Sequence, residues 1–221
     1  MVGNCFFIGT KEADRSIVSL MQFNIEVVSM MHSKLIAAAA LTALMAGPAL
    51  AQSDMLGVPG PVSFQGQDYA LAWTSQPTDD YFKQEYVPQD QTVEAYTEMV
   101  LIEAVAGAIT PMQAAALQAQ MLDARKPSDP VVNYEIIQNE AAGEVLLDFV
   151  VSDLSADPIV VEWNAYRYMP LAKGEGVALF AVSRRGYGED GAREFLGNLG
   201  PLRSEAINAL ATFETPAVSI R

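Results

Sequence analysis

Glu103, Glu135, Asp148 and Glu162 each sit inside a short apolar segment, with Val, Ile, Leu, Ala or an aromatic residue on either side. Two such carboxylates on neighbouring strands can meet, and a facing pair can perform acid/base hydrolysis or contribute oxygen ligands to calcium. Their spacing also fits a plainer role, the polar positions of a half-exposed sheet offset by a cross-strand Arg or Lys such as Arg167. Asp129, Asp153 and Asp157 fall in loops without the regular oxygen spacing and Gly of an EF-hand, so no metal site is assigned.

A second group is aromatic and basic. Trp163, Tyr166 and Tyr168 share one segment with Asn164 and Arg167 between them. Strand alternation sends Trp163 and Tyr166 to opposite faces and puts Tyr166 and Tyr168 on the same face. Those two tyrosines, joined by Tyr134, could floor an aromatic ligand pocket, although aromatics also favour strands for packing alone. Arg184 and Arg185 precede Gly186-Tyr187-Gly188 and offer guanidinium forks to an anion, without the Gly-Lys-Ser/Thr ending of a phosphate loop.

Export narrows this chemistry further. Residues 31–51 carry a basic start at Lys34, an uncharged run from Leu35 to Ala46, a Gly47-Pro48 break and the small residues Ala49 and Ala51 before Gln52, the anatomy of a cleavable signal peptide. The run is shorter than the roughly twenty residues of a membrane span. Cleavage after Ala51 makes residues 1–29 a mis-assigned upstream extension, with translation starting at Met30 or Met31, and makes the product periplasmic or secreted without a stable membrane anchor. Cys5 and His32, the only cysteine and histidine, both precede the cut. The exported chain therefore has no disulfide, no Ser-His-Asp or Cys-His nucleophile and no His- or Cys-based metal centre. Its 24 Asp and Glu against 10 Lys and Arg leave a net charge of −14 after the cut. That surface repels nucleic acid and anionic lipid headgroups.

The elements that must position these residues follow from periodicity and turn chemistry. Gly57, Pro59, Gly60, Pro61 and Gly66 mark residues 52–67 as an extended leader, ahead of a single domain over 68–221. Strands are expected at 69–74, with Gln76 to Asp80 as a turn, and at 81–87, 99–105, 131–138, 144–152, 159–169 and 176–183. Thr92 can cap a short helix. Thr110-Pro111-Met112-Gln113 is a capping box that starts a longer one, running to about Asp123 or Arg125 before Pro127. A helical tail over 191–213 is expected to break at Gly200-Pro201. Short links between the last four strands imply antiparallel neighbours. The fold class is therefore α+β: an antiparallel sheet of about six or seven strands, helices on one or both faces, and a cleavable signal helix in front.

The segment Glu85-Tyr86-Val87-Pro88-Gln89-Asp90-Gln91-Thr92-Val93-Glu94-Ala95-Tyr96-Thr97-Glu98-Met99 resembles a segment of uncharacterised bacterial exported proteins, and the element order resembles the Mog1/PsbP-like fold. That resemblance implies a fold and no mechanism. The expected function is a non-enzymatic periplasmic module that binds a small ligand or an envelope protein, with no cofactor. The alternative is a carboxylate-dependent hydrolase.

Overall fold

A computed structural model describes residues 52–220. The expected signal peptide, with Ala49, Ala51, Cys5 and His32, lies outside the described residues.

The strands are β1 (Val62–Phe64), β2 (Gln67–Thr78), β3 (Tyr81–Val87), β4 (Glu98–Ala106), β5 (Asn133–Asn139), β6 (Glu144–Asp153), β7 (Val160–Pro170) and β8 (Gly176–Tyr187). They form one antiparallel sheet in the order β1-β2-β3-β4-β8-β7-β6-β5. Two four-strand meanders thus meet along β4 and β8, in unbroken register from Glu98↔Arg184 to Ala106↔Gly176. Gly176 starts that seam so close to β4 that a Cβ there would stand 2.1 Å from the Val105 carbonyl oxygen. Helix α1 (Pro111–Arg125) links the meanders, and α2 (Gly188–Thr212) follows β8.

The expected α+β class is the observed one, and of the expected one or both faces the helices cover both, but the described residues hold eight strands rather than about six or seven. The eighth is β1, inside the segment expected as a leader. Gln65 and Gly66, with φ of 50° and 82°, make a two-residue turn that folds β1 onto β2. The leader is packed, not appended: Leu56, Val58, Val62 and Phe64 are all buried. Buried Gln84 holds its entry, accepting from the Met55 and Leu56 amides at 2.6 and 3.0 Å and donating to the Val58 carbonyl.

Three local expectations also change. β2 runs through Pro77 to Thr78, so only Asp79 and Asp80 turn. Beyond Tyr69 this strand has no β1 partner, and a proline on a free edge forfeits no ladder bond. After Thr92 there is a bend, not a helix: Thr92 Oγ1 accepts from the Ala95 amide, and Gln91 Oε1 takes the Thr97 amide at 2.7 Å. Helix α2 passes through Pro201 unbroken, anchored by buried Ala192 on one side and by buried Ala206 and Leu210 on the other. Packing against β7 and β8 offsets the roughly 3 kcal/mol that an interior proline costs.

Strand parity divides the core. Tyr86, Ile102, Leu146, Trp163 and Phe180 face α2 and the N-terminal segment. Leu101, Leu147, Phe149, Leu179 and Ala181 face α1. Because α1 lies over β5 to β8, β3 and β4 emerge from beneath its edge, and the polar residues of this face gather there.

Candidate functional site

Two rows of side chains cross the α1 face of the sheet. Register places Lys83, Glu103, Leu179 and Tyr168 in one row and Glu85, Leu101, Ala181 and Tyr166 in the next. Each row therefore runs from a charged residue on the first meander to a tyrosine on the second, over small or aliphatic residues on the seam. Helix α1 roofs the gap. Its buried stripe, Ala115, Ala119 and Leu122, sits down on the core. The adjoining stripe, Ala114, Leu117, Gln118 and Met121, overhangs the rows at the i, i+3, i+4, i+7 spacing of one helix face.

The result is a cleft of about 70 Å³. Val105, Val177 and Leu179 line it from the sheet, and Lys83, Glu103, Tyr166 and Tyr168 supply its polar groups. Lys83 lies 3.0 Å from Glu85 and 4.0 Å from Glu103, all three side chains being about 15% exposed. Tyr81 donates to Glu103. Burial pushes the Glu103 carboxyl above its ordinary range, against the opposing pull of Lys83 and Tyr81. Burial also works against the Lys83 charge, but Glu85 and Glu103 outweigh it and hold the ammonium above its usual value.

Tyr168 is only 6% exposed, and its ring stands 6.2 Å from that of Tyr166. Neither hydroxyl has a hydrogen-bond partner among the described residues. Burial, then the charge of Glu103, pushes both phenols well above their ordinary range, so both stay protonated. Tyr168 is buried and Tyr166 half-buried, and both line a space large enough to hold a group that would hydrogen-bond their hydroxyls.

The four mid-strand carboxylates separate into three settings. Glu103 lines the cleft. Glu162 shares its face but is enclosed: Arg185 Nε donates to it, Tyr96 Oη donates at 2.7 Å and Asn164 Nδ2 at 3.0 Å. Burial raises the Glu162 carboxyl, but Arg185 and these donors together bring it below the usual range. Glu135 and Asp148 are cross-strand neighbours on the opposite face, and Arg203 of α2 bridges them. Asp148, 2% exposed, also accepts from the Trp163 indole at 2.6 Å. That pair clamps α2 to the sheet and is not part of the lining of the cleft.

The other candidates are occupied in place. Arg167 pairs with Glu144 and donates to the Leu210 and Phe213 carbonyls at the end of α2, so it meets none of the four carboxylates. Arg184 pairs with Glu98, and Arg185 stacks over Tyr96 at 3.9 Å while holding Glu162, leaving neither as an open anion fork. Tyr134 shares the face of Tyr166 and Tyr168 but hydrogen-bonds Asp123 under Lys126, outside the cleft. Among the described residues no three His, Cys, Asp or Glu side chains gather as metal ligands, and no helix is long and apolar enough to cross a membrane.

A family model matches residues 56–215, most of the chain and nearly all of the described fold. The chain belongs to that family, which is uncharacterised. Its boundary includes Leu56 and Val58, in keeping with a domain that starts in the packed segment. No curated protein and no solved structure matches the chain.

Lys83, Leu117, Met121 and Arg203 were not singled out from the sequence. The alternation of Lys83 and Glu85 with buried Phe82, Gln84 and Tyr86 does mark a charged stripe on one face of β3. Its pairing with Glu103 requires the β3–β4 register.

Proposed function

We propose that the protein is a non-enzymatic, exported binding domain that holds a small ligand in the cleft between α1 and the Lys83–Glu103 and Tyr166–Tyr168 rows. The observation that carries this reading is the Tyr168 side chain, 6% exposed, which lines the cleft and whose hydroxyl has no hydrogen-bond partner among the described residues. A concave, largely apolar space with a few convergent polar groups, one of them a perturbed carboxyl, is the usual form of a ligand site. Among the described residues Glu103 is the single carboxylate of the lining, whereas two-carboxylate hydrolysis needs a pair flanking the bond. This favours binding over the hydrolase alternative. Export rests on the signal-like segment before Gln52, and the Mog1/PsbP-like resemblance on the Glu85–Met99 segment and element order.

Native mass spectrometry of protein recovered from its own periplasm, compared with an Ala114→Phe variant that fills the cleft, tests both parts. The expected result is a chain beginning at Gln52 that carries a small added mass, absent from the variant. Both chains free of added mass would overturn the binding reading, and a chain starting before Gln52 would overturn the cleavage site.

A further inference from the structure

We infer that the cleft selects a small aliphatic ammonium ion, a deepening of the binding reading that depends on it. Among the described residues Lys83 is the one cation in the lining, and it is already engaged by Glu85 at 3.0 Å and Glu103 at 4.0 Å. These three groups together carry one net negative charge. An anionic head group entering the cleft would meet a neutralised lysine and an opposing carboxylate. An ammonium group would meet the Glu103 carboxylate, while Lys83 keeps its closer partner Glu85.

The tyrosines add to this preference. Each phenolic oxygen has lone pairs to accept an N–H, and each ring face attracts a cation. Beyond burial, the charges of Glu103, Glu162 and Glu85 all act on Tyr166 in the same direction, raising its phenol. Those three carboxylates therefore favour a positive charge beside that hydroxyl. The formal charge of −14 adds a long-range pull of the same sign.

The walls set the rest of the ligand. Leu117, Met121 and Leu179 offer methyl and methylene surface next to the polar groups, suited to an alkyl chain. A volume of about 70 Å³ is far below the several hundred Å³ of a site for drug-sized molecules. A short chain with one charged end fits that space.

Three four-carbon probes separate charge from apolar contact: n-butylammonium, butyrate and 1-butanol, titrated at pH 7 and constant ionic strength while the Leu117, Leu179 and Met121 methyl signals are followed by NMR. Butylammonium should shift these methyls saturably, and butyrate should not. Glu103→Gln should weaken butylammonium binding about tenfold or more, the loss of one charge-assisted contact. Tyr168→Phe should weaken it less, and Glu194→Gln on the outer surface of α2 should leave it unchanged. Binding to the unaltered protein should also fade as pH falls through the raised Glu103 pKa, a profile that a merely structural Glu103 would not produce. If butyrate or butanol binds these methyls as well as butylammonium, the charge preference is wrong and the binding reading survives. If none of the probes shifts them while the native protein still carries a mass that Ala114→Phe lacks, the ammonium inference fails alone. With neither shift nor mass, both fail.

Discussion

Glu103 and Glu162 lie on one face of the sheet two strands apart, and their surroundings push them in opposite directions. Glu162 is held charged by Arg185, Tyr96 and Asn164, so its folded pKa lies below that of an unfolded Glu, about 4.3. Its contribution to stability is present above that value and is lost as pH falls through the folded pKa. Glu162→Gln leaves Arg185 enclosed without its counter-charge and should cost about 3 kcal/mol at pH 7. Glu103 is raised by burial, so its contribution is complete at low pH and is lost as pH rises through its folded pKa. Glu103→Gln should therefore cost no stability at pH 7, and Lys83 keeps Glu85. Urea unfolding of both variants between pH 4 and 8 checks the contrast, and equal losses would mean that the two sites differ only in name. The sequence made all four carboxylates visible as mid-strand polar residues but not their partners. Arg203 reaches Asp148 and Glu135 from 55 and 68 residues away, and no local pattern encodes that distance. Arg167, the nearer arginine, is spent on Glu144 and the end of α2.

Among the elements, α1 was the most legible because both features of its start are local: Thr110 and Gln113 form the reciprocal capping box, and Pro111 occupies the first turn. Its far end depends on tertiary contacts. Asp129 accepts from Arg125 Nε at 2.8 Å, from the Ser152 amide and hydroxyl at 2.7 and 2.6 Å and from the Val131 amide at 3.1 Å, while Arg125 also reaches the Ser152 carbonyl. Burial opposes the Asp129 charge, but these donors outweigh it and hold the carboxyl below its usual range. Asp129→Asn should destabilise the fold by roughly 2 kcal/mol, the scale of losing hydrogen bonds to a charged group. Because that depressed pKa makes the contribution fade only under acid, the variant should also unfold with a shallower pH dependence below about pH 4. An unchanged acid limb in thermal melts would contradict the assignment. At Pro201 the expected break and the continuous α2 differ because propensity weighs one residue and packing weighs the whole helix. Its entry is exacting in another way: a Cβ on Gly186 would lie 2.7 Å from Phe195 Cβ and 2.9 Å from the Gly191 carbonyl oxygen. Gly186→Ala should push the start of α2 off β8 and cost about 1–3 kcal/mol, as overpacking does. A denaturation midpoint equal to that of the parent would show that the helix yields without penalty.

For the whole molecule, the sequence reached as far as its short connections did. Tight links between β5, β6, β7 and β8 made that meander readable, whereas the β4–β8 seam pairs strands whose register no neighbouring residue announces. The start of the domain was obscured by composition: Gly57, Pro59, Gly60, Pro61 and Gly66 have the look of a linker, and Gln65-Gly66 lacks the Asn-Gly signature of its turn type. Yet this segment closes the α2 face of the sheet. Leu56, Val58, Val62 and Phe64 are between 0 and 6% exposed, and the Ser219 amide donates to the Leu56 carbonyl at 2.8 Å, tying one end of the domain to the other. At about 1.5–3 kcal/mol for each fully buried apolar side chain, these four contribute on the order of 6–12 kcal/mol. That figure is an upper bound, but it rivals the 5–15 kcal/mol by which a domain is stable at all. A chain beginning at Gln67 should therefore lose cooperative unfolding and expose apolar surface to a hydrophobic dye, while a chain beginning at Gln52, the proposed cut, should melt in one transition. If the shorter chain melts cooperatively at the same temperature, residues 52–66 are an appendage and the sheet stands on seven strands alone.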